Sequence, residues 1–189
     1  MLAAARGESL PAFNLPAMFE ESLPLAPTHL LAVYSKHDWA VDGRRAVRYV
    51  PVHDLVLAAH CTNLPPLPRG KSLSSITVTS LCLPNLATLD ITLDYLYTQN
   101  LTTLLTTLLP RSAVGIPAAT IPETIAKACS TAELTQRLFR THALWMNLCA
   151  LGVHDDALWN ILESVWQVLL AALRMVGEAG SPVNVVPFA

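Results

Sequence analysis

The chain has 189 residues, of which 52% are hydrophobic, and its 12 Lys and Arg against 14 Asp and Glu give a formal net charge of −2. Its charged fraction of 14% is well below the roughly 25% of an average soluble protein. This composition excludes a disordered polar chain, which could not bury enough apolar surface to offset the entropy of ordering, and it argues against direct nucleic-acid binding, which needs clustered Lys and Arg.

Residues 1–27 contain four prolines and no sustained helical or strand period, which predicts an extended arm. Large apolar side chains in this arm, Phe13 and Phe19 among them, would be costly to leave in water, at about 1.5–3 kcal/mol for each fully buried side chain. We therefore expect the arm to pack on its own domain or on a partner.

Residues 28–110 are expected to form strands and short helices. Strand-favouring runs at 30–35, 39–41 and 46–52 surround Asp42-Gly43, a strong signal for a hairpin turn. Pro51 lacks a backbone N–H, which favours a sheet edge for the last run.

Further elements follow in the same region. The sequence predicts a short helix over 53–61, a loop over 63–75 and a strand over 75–83. Leucines at helical spacing then predict one helix that starts near Asn85 and a second that ends before Pro110.

The C-terminal third has the clearest periodicity. Residues 111–129 are predicted to be a connector, and 130–177 an antiparallel helical hairpin that packs on the strands, followed by a tail over 178–189. Ser130 with Glu133 fits a capping box, and Gly152 should end the first helix. Polar residues interrupt the second helix too often for a membrane span.

The N-terminus has no apolar core typical of a secretory signal. We therefore expect an intracellular protein, nuclear or cytoplasmic, with reduced cysteines. Cysteine spacing fits no common zinc site, so no metal and no cofactor are predicted.

Catalytic motifs are absent from the sequence, and we expect no enzyme. An alternative stays open, because a noncontiguous site is recognised by geometry and not by sequence order. It is a small hydrolase or ligand-binding protein with a site around His53, His60 and Cys61.

Aromatic residues are the candidate contacts for a protein partner, since Trp and Phe anchor interfaces when part of the ring stays accessible. The candidate interaction residues are Phe13, Phe19, Trp39, Trp145, Trp159, Trp166 and Phe188.

Two segments carry a family resemblance. Residues 41–61, which contain His53 and the Leu57-Ala58-Ala59 run, and residues 76–101, which contain Tyr95-Leu96-Tyr97-Thr98, resemble a BTB/POZ domain. In that family a strand, a glycine-centred turn and a second strand lead into a His-bearing helix, and a later strand precedes a second helix. The sequence departs from the family at Gln99, where glycine is usual, and at the prolines of 65–68.

Together with LLTTLLP and the run over 145–173, this element is similar to the clampless-type proteins of basidiomycete fungi. The resemblance implies an α+β fold with BTB/POZ-like strands and short helices, followed by the helical hairpin. It also implies a non-catalytic protein–protein interaction module that regulates fungal sexual development, the formation of clamp cells and the dikaryon. The expected partners are proteins, with a transcription regulator or a second copy of the chain as candidates.

Overall fold

The computed structural model describes residues 27–39, 45–68 and 77–180. Within these ranges the chain forms three strands and six α-helices, which confirms the α+β class. Phe13, Phe19 and Phe188 lie outside the described residues.

The strands form a single small sheet in the described part of the chain. Strand β1 (His29–Trp39) is central, β2 (Arg45–Val52) pairs with it antiparallel, and β3 (Thr77–Cys82) pairs with it parallel. The antiparallel register confirms the predicted hairpin, although its turn at Asp42-Gly43 lies outside the described residues. Pro51 lies on β2, an edge strand, as predicted. Of the strand-favouring run predicted over 39–41, Trp39 is the last residue of β1, and residues 40 and 41 lie outside the described residues.

The helices follow the sheet in chain order, apart from the first, which lies between β2 and β3. They are α1 (Asp54–His60), α2 (Leu89–Thr98), α3 (Leu101–Leu108), α4 (Ile121–Ala128), α5 (Thr131–Leu151) and α6 (Asp156–Gly180). Short 3-10 turns at Arg111–Ala113 and Ala118–Thr120 join α3 to α4.

Local capping explains most of the helix ends. The Asn100 side chain accepts the Thr103 N–H at the start of α3, and Ser130 accepts the Glu133 N–H at the start of α5, as the capping box predicts. Gly152 ends α5 in the left-handed conformation, at φ 66°, which glycine adopts without steric cost.

Two predicted helix ends are wrong. Helix α2 begins at Leu89 and not near Asn85, because the Asn85 side chain accepts the Thr88 N–H at 3.2 Å and holds this segment in a turn. Helix α6 continues through Gly177 to Gly180. Gly177 keeps a helical conformation, so it does not act as a stop.

One hydrophobic core joins the sheet to the helices. It contains Leu31 and Val33 of β1, Leu89 of α2, and residues of α5 and α6 such as Leu148 and Leu162. Helix α5 packs on α2, and α6 packs on α3 and α4. No helix in the described part of the chain is both long and apolar enough to cross a membrane.

The turn between α5 and α6 docks on the segment that follows α1, and we call this contact the joint (residues 61–63 with 151–155). The backbone N–H of Thr62 donates to the Gly152 carbonyl at 3.2 Å, and that of Asn63 donates to the Leu151 carbonyl at 3.0 Å. A Cβ on Gly152 would overlap the Thr62 hydroxyl and lie 2.8 Å from the Asn63 side chain. The joint therefore requires glycine both for its conformation and for its close approach.

Replacing Gly152 by alanine is expected to lower the free energy of unfolding by at least about 2 kcal/mol, since the left-handed backbone and the overlap both oppose a Cβ. Urea denaturation measures this change. Gly177→Ala is the control, because a Cβ there meets open space in a helix and should raise stability by about 0.5–1 kcal/mol. Equal effects of the two substitutions would contradict the role assigned to the joint.

Candidate functional site

Helix α5 carries a row of accessible side chains beside the stripe that it buries. Phe139, His142, Met146 and Cys149 follow one another at spacings of three, four and three residues, so they share one face of the helix. All four are exposed, and Phe139 keeps 70% of its surface accessible. A single exposed apolar residue is ordinary, whereas exposed Phe139 and Met146 in one row make this side of the helix a candidate contact surface.

Tryptophans from both helices border this row. The rings of Trp145 and Trp159 lie 5.2 Å apart, and those of His142 and Trp166 lie 6.3 Å apart. From the first pair to the second, the residue number on α5 falls from 145 to 142 while that on α6 rises from 159 to 166. The two helices therefore run antiparallel, which confirms the predicted hairpin. The Trp159 indole N–H donates to the Val153 carbonyl at 3.2 Å, which fixes the ring at the turn.

We call this surface the aromatic face. Its residues are Phe139, His142, Trp145, Met146, Trp159 and Trp166. The three tryptophans are half-buried and pack against the core on one side. Rings held in this way contribute large apolar area at little entropic cost, and methionine adapts to irregular partner surfaces. The chemistry of the face therefore suits binding of an apolar protein surface.

The structure thus brings together three of the candidate interaction residues, Trp145, Trp159 and Trp166. Trp39 is the last residue of β1, and its backbone pairs with Arg45. The binding role of these four tryptophans stays a prediction. Sequence reasoning missed Phe139, His142 and Met146, although their spacing along α5 is a signal that could have revealed them.

The residues of the alternative site lie at separate positions along α1. His53 precedes the helix, where its backbone N–H donates to the Tyr97 hydroxyl at 2.8 Å and its ring Nδ1 lies 3.0 Å from the same oxygen. His60 is the last residue of the helix. His53 and His60 are seven residues apart, which corresponds to about 10 Å along the helix axis, so the two rings do not converge on one atom. Within the described residues, no group of three His, Cys, Asp or Glu side chains could hold a metal ion.

Cys61 is buried and lines an open cavity of about 660 Å³, together with Asp54, Leu55, Leu64 and other residues of α1 and the following loop. Burial raises the pKa of the Cys61 thiol to about 11. A nucleophilic cysteine needs a lowered pKa, because the thiolate is the reactive form. The environment of Cys61 therefore favours an inert thiol.

Asp155 links α2 to the start of α6 at the joint. Its carboxylate accepts a hydrogen bond from the Tyr95 hydroxyl of α2 and further bonds from the backbone N–H groups of Ala157 and Leu158. The Tyr95 hydroxyl, these backbone donors and the charge of His60 lower the pKa of Asp155. Burial and the neighbouring carboxylate raise the pKa of Tyr95. The pair therefore holds Asp155 ionised and Tyr95 protonated.

Alkylation rates test the accessibility and protonation of the Cys61 and Cys149 thiols. At pH near 8, iodoacetamide should modify exposed Cys149 at least about tenfold faster than Cys61, whose thiol is buried and almost fully protonated. Peptide mass spectrometry of the folded chain gives both rates. Modification of Cys61 as fast as Cys149 would instead support the alternative site.

The Asp155 carboxylate should stabilise the fold in a pH-dependent way. Because its pKa is lowered in the folded chain, its contribution is complete above the unfolded value of about 3.9 and is lost as pH falls through the folded value. The difference in unfolding free energy between wild type and Asp155→Asn should therefore be larger at neutral pH than below pH of about 3.

Asp156→Asn, which removes the same charge from the exposed neighbouring residue, is the matched control. A pH-independent difference for Asp155→Asn would contradict the assigned role of the Tyr95 and Asp155 pair.

Comparison with known protein families gives two matches. The model of the Clampless protein 1 N-terminal domain matches residues 3–93, and that of the Clampless protein 1 C-terminal domain matches residues 102–187. No curated protein and no solved structure matches the chain.

Proposed function

Because the chain belongs to the clampless protein family, whose two domain models together match nearly all of it, we propose that it is a non-catalytic regulator of fungal sexual development. It acts by binding protein partners, and the aromatic face is its principal contact surface. The observation that carries the proposal is the row of accessible apolar side chains beside half-buried tryptophans.

The geometry of the face supports binding in preference to chemistry. Its tryptophans are held on the core side and stay partly accessible on the other, an arrangement typical of interface anchors. On α5 the face extends over about two turns, roughly 10 Å from Phe139 to Met146. A partner that presents a complementary apolar segment of similar length would exclude water from it.

The element order supports a BTB/POZ-like N-terminal half as part of this proposal. Strands β1 and β2 lead into α1 directly after His53, and β3 precedes α2, which ends at Thr98. This is the order that the resemblance implies. A transcription regulator or a second copy of the chain remains the proposed kind of partner, in the nucleus or the cytoplasm.

The hydrolase or ligand-binding alternative rests on the cavity beside Cys61. The cavity is large enough for a small molecule, but the raised pKa of Cys61 and the separation of His53 from His60 favour the interaction proposal. We therefore place the alternative second.

A charge placed on the aromatic face should abolish partner binding and leave the fold intact. Phe139→Glu should change the unfolding free energy by no more than about 0.5 kcal/mol, because the side chain is exposed. In quantitative pull-downs from a basidiomycete lysate, proteins that the wild type captures should fall at least about tenfold with this variant, since a carboxylate would be desolvated in the contact.

Leu55→Glu is the matched control, because Leu55 is also an exposed apolar residue but lies on α1. It should capture the same proteins as the wild type. In a basidiomycete strain that lacks its own clampless protein, wild type and Leu55→Glu should restore clamp cells and Phe139→Glu should not. Equal capture and equal restoration by both variants would contradict the proposed surface.

A further inference from the structure

The tryptophans of the aromatic face differ in how their indole N–H groups are used. That of Trp159 donates to a backbone carbonyl at 3.2 Å. Within the described residues, those of Trp145 and Trp166 have no hydrogen-bond partner. Both side chains are half-buried, yet the buried side-chain polar atoms that lack a partner in this part of the chain are the hydroxyls of Thr79 and Ser112. The indole nitrogens of Trp145 and Trp166 therefore reach solvent as two available donors.

A partner that covers the aromatic face has to accept hydrogen bonds from these donors, because an indole N–H that is desolvated without an acceptor opposes binding. An α-helix pairs its backbone carbonyls internally, apart from those of its last turn. A polyproline II segment has no internal hydrogen bonds, so all its backbone carbonyls are available. The two indole donors therefore favour an extended partner segment over a helical one.

The ring pairs of the face follow one another along the line where α5 and α6 meet. Trp145 contacts Trp159 and His142 contacts Trp166, so the two pairs are three residues apart on α5 and seven residues apart on α6. These separations correspond to about 4.5 Å and about 10.5 Å of helix rise. A polyproline II segment rises about 3.1 Å per residue. Apolar side chains about two or three residues apart on such a segment therefore match the spacing of the ring pairs.

The charge of the hairpin beside the face is negative. Residues 141–173 contain three carboxylates and no Lys or Arg. Glu163 is exposed and lies four residues after Trp159 and three before Trp166, so it shares their side of α6. Asp156, which is also exposed, lies three residues before Trp159. The surface is therefore complementary to a segment that carries Lys or Arg.

We propose that the aromatic face binds an extended, proline-rich segment of a partner protein, and that this segment carries Lys or Arg. Its apolar side chains pack on the ring pairs, its carbonyls accept the N–H groups of Trp145 and Trp166, and a basic side chain pairs with Glu163. Aromatic surfaces bind such segments because the polyproline II conformation is preformed and little entropy is lost on binding. This inference rests on the proposed function, since it names the class of partner for the same face.

Heteronuclear NMR of the full chain with isotope-labelled tryptophan tests the proposal, because each indole N–H gives its own signal. The probe is a proline decamer with an arginine at each end, and single Trp→Phe substitutions assign the signals. On titration, the N–H signals of Trp145 and Trp166 should move downfield as they gain acceptors, and more than that of Trp159, which is already paired. Signals of Trp145 and Trp166 that stay in place at the highest probe concentration would overturn the proposal.

Two control peptides separate the contributions of charge and backbone. The same decamer with a glutamate at each end should bind at least about tenfold more weakly, because its charge repels that of the face. An arginine-ended peptide of equal length that forms an amphipathic helix should also bind at least about tenfold more weakly, since its carbonyls are paired. Either control binding as tightly as the probe would contradict the proposal.

A conservative substitution tests the carboxylate. Glu163→Gln keeps the size of an exposed side chain and removes its charge. It should weaken binding of the arginine-ended decamer at least about threefold and narrow its advantage over the glutamate-ended one. Glu178→Gln, the same change near the end of α6, is the matched control and should leave both affinities unchanged. Equal effects of the two substitutions would contradict the role given to Glu163.

The inference and the proposed function fail in different ways. If Phe139→Glu abolishes capture from the lysate but the decamer does not bind the wild type, the contact surface stands and the proline-rich partner is wrong. Equal capture by Phe139→Glu and wild type would contradict the proposed function itself. Indole signals of Trp145 and Trp166 that move with chain concentration alone, without any probe, would identify a second copy as the occupant and overturn the inference.

Discussion

The packing of the α5–α6 turn against the segment that follows α1 is the contact on which the rest of the structure depends. Three strands alone form a sheet too small to bury a substantial core. At the joint, Gly152 approaches Thr62 closely, and Asp155 accepts a hydrogen bond from Tyr95. These contacts hold the hairpin against the sheet half, so that β1 and α6 contribute to one core.

A buried amide fixes the rotation of α5 and so determines which side of the helix faces solvent. The Asn147 side chain donates to the Asn85 carbonyl at 2.7 Å and accepts the Asn85 N–H at 3.0 Å. These bonds must persist, because leaving buried polar groups without partners would cost about 1–3 kcal/mol each. With Asn147 turned inward, Met146 and Phe139 lie on accessible parts of the helix. The buried amide thus sets which side of α5 the aromatic face occupies.

Local signals in the sequence predicted much of the fold, but they could not predict contacts between residues far apart in the chain. The cap at Ser130, the stop at Gly152 and the helical period of the tryptophans each depend on neighbours in the chain. The start of α2 was missed because the turn at Asn85 is held both by its local bond to Thr88 and by Asn147, which is 62 residues away. The joint likewise joins residues about 90 positions apart. The aromatic face was found in part, because the tryptophans were evident but the exposed row on α5 was not separated from its buried side.

Amide hydrogen exchange of the unmodified chain, measured over a series of low urea concentrations, tests most directly whether the joint makes the sheet and the hairpin one unit. If they share one core, the slowest-exchanging amides of both halves should exchange through the same global opening. The opening free energy and its urea dependence should then be equal for β1 amides such as Val33 and α6 amides such as Leu162. A hairpin whose amides open at a separate, lower free energy while β1 stays protected would contradict the account.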